Sequence, residues 1–496
     1  MAWILIFLAV VLLAYLKQSW SKKKLERRLP PGPKSIPVLG HLHLIGKNPH
    51  QDMQKLSEKH GPIMYLQFGF VRNIIVSSPE AAKQFLKDHD INFASRPPHE
   101  AAKYISYDQR NLSFGAYGPY WRNMRKLCTL ELLSSVKINS FKSMRKEEIG
   151  LLVDSIEDAA RKGVTVDLSD VVASMSADIS CRMIFGKKYV DNEIDEKGFK
   201  VVIQEGMQLA AIPNLGNFFP YLSLLDLQGL TKRMKAVAKV FDKFLEKILD
   251  EHATTKDPGQ TKDFVDTMLD IMKSGVAEFE FDRTHIKAVL LDMLAAAVDT
   301  AATTVDWTMS ELLKHPHIME KVQNELAEVV GMNKMVEESD LGSLEYLDMV
   351  IKEVFRLHPV APLLIPHHSV EDCEIDGFFI PKKTTVMVNI YAIGRDPKVW
   401  TDAEIFAPER FVGSNIDLLG RDFELIPFGS GRRGCPGIQL GLLMVRLVVA
   451  QLVHCFDWTL PYGMKPSELD MTEEFGLVVT RANHLKATPS RRLHLN

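Results

Sequence analysis

The sequence predicts an α+β protein, mainly α with small β-sheets, folded as one large domain behind an N-terminal membrane anchor helix. Three observations predict it. The uncharged apolar run "MAWILIFLAVVLLAYL" opens the chain and a basic cluster follows it at once. A helical apolar pattern dominates from about Asn111 to His358. Short β-branched runs bounded by turn residues lie near both ends of the remainder, with no internal repeat and no low-complexity tract.

The anchor is expected over residues 1–20. A cleaved signal peptide carries its charge before the apolar run and a small-residue site after it. Here Lys17, Lys22, Lys23, Lys24, Arg27 and Arg28 come after the run. Sixteen residues of helix span ~24 Å, short of a ~30 Å bilayer core, but Lys17 can snorkel and Trp20 can sit at the interface. The basic flank directs the downstream chain to the cytosol. Residues 21–40 form a basic, proline-rich linker; Pro30, Pro31, Pro33 and Pro37 make its second half stiff and non-helical. Residues 41–496 form the globular domain.

Within that domain, "PIMYLQFG" and "RNIIVSS" read as two strands joined at Gly69. Ser78 before Pro79 starts a helix. A long helix runs from an Asp282 cap to about His315, ~50 Å at 1.5 Å per residue. "HHSVEDCEIDGFFI" and "TTVMVNIYAI" read as late strands. "IQLGLLMVRLVVAQLVHCF" is a strongly apolar helix.

Composition excludes some functions. At 46% hydrophobic and 25% charged residues the chain is ordinary globular material, and its net charge of −3 gives no case for nucleic acid. The cysteines Cys128, Cys181, Cys373, Cys435 and Cys455 are scattered and never in C-x-x-C spacing, which disfavours a disulfide framework or a structural zinc site and suits a reducing compartment.

Chemistry concentrates in "PFGSGRRGCPG", Pro427 to Gly437. Gly429, Gly431 and Gly434 spell G-x-G-x-x-G, the dinucleotide fingerprint. That motif needs a buried strand before it and an uninterrupted helix through its last glycine. Pro427 and the Cys-Pro-Gly after Gly434 oppose both. The other reading is a backbone cradle for Cys435, whose thiolate a helix N-terminus, nearby N–H groups and Arg433 would stabilise. One thiolate cannot hold zinc, but it can be the single protein ligand of haem iron.

The stretch resembles the haem-binding signature F-x-x-G-x-R-x-C-x-G of the cytochrome P-450 family at Phe428, Gly431, Arg433, Cys435 and Gly437. The resemblance covers essentially the whole chain and is of the plant microsomal type. It implies the cytochrome P-450 fold and haem b, with the Cys435 thiolate as axial ligand. Other motifs fall in the family's order. Trp121 and Arg125 resemble a W-x-x-x-R pair that contacts a haem propionate; seen alone they are a packed Trp with a surface Arg. Glu353 and Arg356, at i,i+3, alone suggest a surface ion pair; with Arg410 they resemble the family's structural Glu–Arg–Arg lock. His367 stands where the plant family usually has arginine. As a neutral ring it offers one donor, so haem retention becomes weaker or pH-sensitive.

In the long helix, Asp299 and Thr300 interrupt an apolar stretch. One reading is that Thr300 back-bonds to the carbonyl of Ala296. The resemblance implies a proton relay through Thr300 and Asp299, with Ala297 and Ala301 departing from the usual glycine and hydroxyl residue. It also implies a pocket of Leu112, Phe114, Ala296, Ala301, Val360, Leu363, Leu364, Phe475 and Leu477, all apolar.

The expected activity is therefore O2-dependent hydroxylation of an apolar plant specialised metabolite, a terpenoid first and a biphenyl-like or other aromatic next. Too little chain follows the Cys435 loop for a flavin domain, so an NADPH–cytochrome reductase, with cytochrome b5 as a further donor, is the expected partner. Arg122, Lys126 and Arg432 are candidates for its basic docking face, against the default of a solvated surface. The expected location is the endoplasmic reticulum membrane, single-pass, with the domain in the cytosol. The alternative is an oxygen-independent haem-thiolate isomerase or dehydratase, which Thr300 disfavours.

Overall fold

Local chemistry sets the elements in order. The computed structural model describes residues 29–188, 199–254, 261–275 and 279–493. The expected anchor and the basic half of the linker lie outside these residues. The strands β1 (Ile63–Phe68) and β2 (Val71–Val76) pair antiparallel as expected, turning at Gly69, whose φ of +57° suits glycine. Ser78 then caps α1 (Pro79–Lys83): its hydroxyl accepts from the Ala81 N–H at 3.2 Å, with Pro79 in the first turn.

The helical body comprises α2 (Glu100–Ile105), α3 (Pro119–Leu127), α4 (Lys142–Lys162), α5 (Leu168–Phe185), α6 (Phe199–Ala211), α7 (Leu230–Thr254), α8 (Arg283–Lys314) and α9 (Glu345–Leu357). The strands β3 (His367–His368) and β4 (Thr385–Val388) follow, then α10 (Ile438–Cys455). The long helix α8 begins where expected. The Asp282 carboxylate accepts from the His285 N–H at 3.0 Å, and the His285 ring returns a bond to the Asp282 N–H. Both α8 and α10 are apolar enough to cross a membrane by composition. They are core helices instead, packed on each other, with α5 against α8.

The late strands differ from expectation in two ways. Of "TTVMVNIYAI", only Thr385–Val388 is a strand. The Asn389 side chain accepts from the Ala392 N–H at 3.1 Å and turns Ile390–Ile393 into helix. The sheets expected near the two ends of the chain are also joined. β2 runs parallel to β4, giving the strand order β1-β2-β4-β3. Ile74, Val76, Val386 and Val388 bury one face of this sheet against Phe85 and Phe93.

Candidate active site

The Cys435 loop is irregular up to one tight turn at Gly431–Arg433, and α10 begins only at Ile438. Residues 421–430 contain no strand. The glycines therefore neither follow a strand nor open a helix, and the dinucleotide reading fails. Gly431 has φ +67°, and a Cβ there would lie 2.3 Å from the Leu86 carbonyl oxygen, so only glycine fits. The Cys435 N–H donates to the Phe428 carbonyl at 2.8 Å and closes the loop. Phe428 packs edge-on to Phe355 at 5.2 Å.

Cys435 is the one exposed cysteine; Cys128, Cys181 and Cys455 are buried and Cys373 is half-buried. Burial pushes the Cys435 thiol up, against the Gly437 N–H and Arg125, which pull it down. Among the stabilising groups expected from the sequence, the Gly437 N–H acts as foreseen, while the nearby cation that lowers the thiol is Arg125 rather than Arg433. A metal ion at the sulfur would offset that burial by deprotonating the thiol.

Beside the loop lies a cluster of cations. The Arg433 Nε donates to the Ala94 carbonyl (2.6 Å), Nη1 to Leu112 (3.1 Å) and Nη2 to Gly115 (2.6 Å). Its guanidinium lies 3.8 Å from the Trp121 ring centroid. Trp121 is buried and donates from Nε1 to the Leu112 carbonyl at 2.9 Å. Arg125 Nη2 donates to the Gly434 carbonyl at 2.6 Å. Arg96 donates to the carbonyls of Ser113, Ile365 and Pro366. Burial first, then the neighbouring guanidiniums, pushes Arg96 well below its usual value and Arg433 down to about 9. Two buried guanidiniums and the half-buried one of Arg125, which repel one another beside an accessible thiol, fit an anionic, metal-bearing group such as haem with its two carboxylates.

His367 plays a different part from the one expected. Burial and the charges of Arg96 and Arg433 hold the ring well below its usual pKa, hence neutral. Its Nδ1 lies 2.9 Å from the Phe93 carbonyl, an acceptor, so the ring's single proton is spent there. In this arrangement its proton faces the Phe93 carbonyl rather than the Cys435 side.

The centre of α8 behaves as the middle of a wall. Ala296 and Thr300, one turn apart, are exposed, while the helix is buried at Ile286–Leu291 and at Ala302–Val305 and Trp307–Leu313. Thr300 Oγ1 donates to the Ala296 carbonyl at 2.7 Å, so the back-bonded state is the one present. Asp299 is half-buried beside it. One to two turns earlier the same helix lines a hollow with Leu291, Asp292, Leu294 and Ala295, facing Ala101 and Ile105 of α2, Met207 of α6, and Phe114 and Leu477.

Of the expected pocket residues, Phe114 and Leu477 line this hollow and Ala296 continues its wall. Leu364 reaches the loop, its Cδ1 3.9 Å from where a Gly429 Cβ would stand. Ala301 packs on the main core, and Leu112 is buried in it. Val360 is buried, its carbonyl accepting from the Val479 N–H at 2.9 Å. Leu363 packs instead in a small cluster with Met53 and Leu66, and Phe475 stacks on His50 at 5.6 Å.

Glu353, Arg356 and Arg410 converge. Glu353 and Arg356 are fully buried and bidentate, both contacts 2.7 Å, and Arg410 Nε donates to Glu353 Oε1 at 2.9 Å. On another face a shallow groove is lined by Tyr117, Arg122, Arg125, Lys126 and Arg432. Arg432 is paired with Asp90 at 2.7 Å.

Two site residues escaped the sequence reading. Arg96 stands in "ASRPP", and a buried arginine in an irregular segment leaves no periodic trace. Asp292 was legible in principle. It interrupts "LLDML" seven residues before Asp299, on the same helix face.

The family model described as Cytochrome P-450 matches residues 30–486. Cytochrome P-450 CYP736A12 of Panax ginseng is 51% identical over 480 residues, 95% of each chain. A flavonoid 3'-monooxygenase of Petunia hybrida is 40% identical over 494 residues, 97% of this chain and 96% of its own. Phenylacetaldehyde oxime monooxygenase CYP71AN24 of Prunus mume is 42% identical over 477 residues, 95% of this chain and 90% of its own.

Proposed function

This chain belongs to the cytochrome P-450 family of plant type and is a haem-thiolate monooxygenase; from that premise we propose that Cys435 ligates its iron, that Thr300 and Asp299 handle protons, and that it hydroxylates an apolar specialised metabolite. The observation that carries the site assignment is the accessible Cys435 thiol beside Arg96, Arg125 and Arg433. When bound, haem supplies oxygen activation, and an axial thiolate favours O–O cleavage. Arg96, Arg125 and Arg433 would hold its carboxylates. Thr300 spends its proton on Ala296, so its oxygen is left to accept from a water and orient it. Asp299, half-buried beside it, would pass protons to that water. The apolar walls of the hollow keep bulk water from the reacting atoms.

The substrate reading rests on those walls. Asn111 and Asp292, two of the few polar groups there, are bonded to each other at 2.9 Å. A terpenoid fits such a lining. A second reading, an aromatic substrate, is favoured by the relatives whose names specify flavonoid and phenylacetaldehyde oxime.

Electrons come from a reductase partner, and NADPH–cytochrome reductase or cytochrome b5 would meet the groove at Arg122, Lys126 and Arg432. The domain would rest on the endoplasmic reticulum membrane from its cytosolic side. Tyr221, Leu222, Leu224, Leu225 and Leu227 are exposed. Their segment joins the β1–β2 turn through the Phe70 N–H and the Phe218 carbonyl, where the exposed Leu39 also bonds Gly69. Residues 36–39 follow the expected anchor, so both would meet one lipid surface. The test is microsomes carrying this chain and a plant reductase, fed terpenoids and phenolics under labelled O2. A product with one labelled oxygen, dependent on NADPH, is expected; a product formed without O2 would contradict the reading.

A further inference from the structure

The segment Asn111–Gly115 is held from two sides. From the loop side its carbonyls are taken by cations and an indole: Leu112 O accepts from Trp121 (2.9 Å) and Arg433 (3.1 Å), Ser113 O from Arg96 (2.9 Å), Gly115 O from Arg433 (2.6 Å). From the other side one carboxylate takes its donors. Asp292 Oδ2 accepts from the N–H groups of Leu112 (2.9 Å) and Ser113 (3.0 Å), and Oδ1 from Asn111 Nδ2 (2.9 Å). Asn111 Oδ1 in turn accepts from the Phe114 N–H at 3.2 Å. Gly115 allows no side chain: a Cβ there would lie 2.5 Å from the Asn111 carbonyl oxygen. Phe114, Asn111 and Asp292 all face the hollow.

We propose that Asp292 is a positioning residue for substrate selection: it pins Asn111–Ser113 to α8 and thereby fixes Phe114 as the rigid wall against which a substrate is oriented. This rests on the reading of the hollow as the substrate site. No other side chain accepts from the Leu112 and Ser113 N–H groups among the described hydrogen bonds. Without the carboxylate those donors are left unpaired inside the fold, an expensive state that the segment escapes by moving. The same segment caps the guanidinium cluster through its carbonyls. Asp292 therefore couples the shape of the hollow to the loop side without touching a reacting atom.

The geometry supplies its own rescue. In Asp292→Asn the amide either keeps its oxygen on the Leu112 and Ser113 N–H groups and turns an N–H on the Asn111 donor, or flips and turns that N–H on the two backbone donors; either way one side of the pin is broken. Combining it with Asn111→Asp exchanges donor and acceptor across the pair and restores every bond of Asp292 and the Phe114 N–H. The probes are imidazole and 4-phenylimidazole, titrated spectrally on the haem-loaded protein. Both ligate haem iron through nitrogen, and the phenyl ring is the part that would extend to the Phe114 wall. Asp292→Asn should weaken 4-phenylimidazole about tenfold while leaving imidazole unchanged. Hydrogen exchange at residues 111–114 should rise, and the double variant should recover both. Equal weakening of both probes, or unchanged 4-phenylimidazole binding with raised exchange, overturns the proposal. Neither probe is turned over, so failure of the monooxygenase reading would show separately, as absence of product from the unaltered enzyme.

Discussion

Replacing Glu353 with glutamine tests how much the fold depends on one buried carboxylate. Glu353 Oε1 accepts from Arg356 Nη2 (2.7 Å), Arg410 Nε (2.9 Å) and the Ala407 N–H (2.8 Å), and Oε2 from Arg356 Nε (2.7 Å). Arg356 Nη1 also holds the carbonyls of Gly394 and Ala403, each at 2.5 Å. Glutamine keeps one acceptor oxygen. Its NH2 group must then face a guanidinium N–H, and the buried Arg356 and half-buried Arg410 lose their bonded counter-charge in the cluster. Breaking a buried pair from one side costs roughly 3–5 kcal/mol. An unfolding entropy of about 2.1 cal/mol/K per residue gives ~1 kcal/mol per kelvin for a chain this long, so the midpoint should fall by roughly 3–5 °C. The control is Glu337→Gln, whose partner Lys146 lies 3.1 Å away with both side chains exposed; such pairs are worth ~0–1 kcal/mol. Circular dichroism melts at one scan rate compare the two. Equal midpoints for both variants would refute the buried-lock reasoning.

Thr300→Ala should keep haem and substrate binding and cut product per NADPH consumed; proton transfer is worth ~10²–10⁴-fold, and the low end is expected because water can substitute. Unchanged coupling would make Thr300 merely a packed helix turn. Arg96→Leu should lower haem per protein, read from the absorbance ratio, whereas His367→Gln should not, since the His367 proton is held by Phe93. Burial opposes charge on His252, but the hydrogen bond to Asp263 and its carboxylate charge raise it to about 9. The folded pKa thus lies above the unfolded ~6.5, so this stabilisation is complete below pH ~6.5 and is lost as pH rises through about 9. His252→Asn should remove that part of the pH dependence of the melting midpoint.

Local rules carried the sequence reading where one residue type enforces one geometry. Ser78-Pro79, Asp282 and Gly431 are such places, and each did what its chemistry requires. The Glu353–Arg356–Arg410 convergence was legible as a motif, because two of its members share a helix face. The remainder depends on distant pairing. The parallel β2–β4 contact joins residues about 310 apart in the chain. His367 was read as a carboxylate donor, but only the position of the Phe93 carbonyl decides where its proton goes. Asp292 looked like any acid in an apolar run until the donors of Leu112 and Ser113 arrived from another segment. Leu363 and Phe475 show the same limit: their apolar character was clear, their direction was not.

The central claim is that Cys435 alone ligates the iron. The most direct measurement is the absorption spectrum of the reduced, CO-bound protein, compared between the unaltered chain and Cys435→Ala. The account predicts a strongly red-shifted thiolate band for the unaltered chain and its loss in Cys435→Ala, with the band kept when Cys128, Cys181, Cys373 or Cys455 is replaced by serine or alanine. A thiolate band that survives in Cys435→Ala would contradict it.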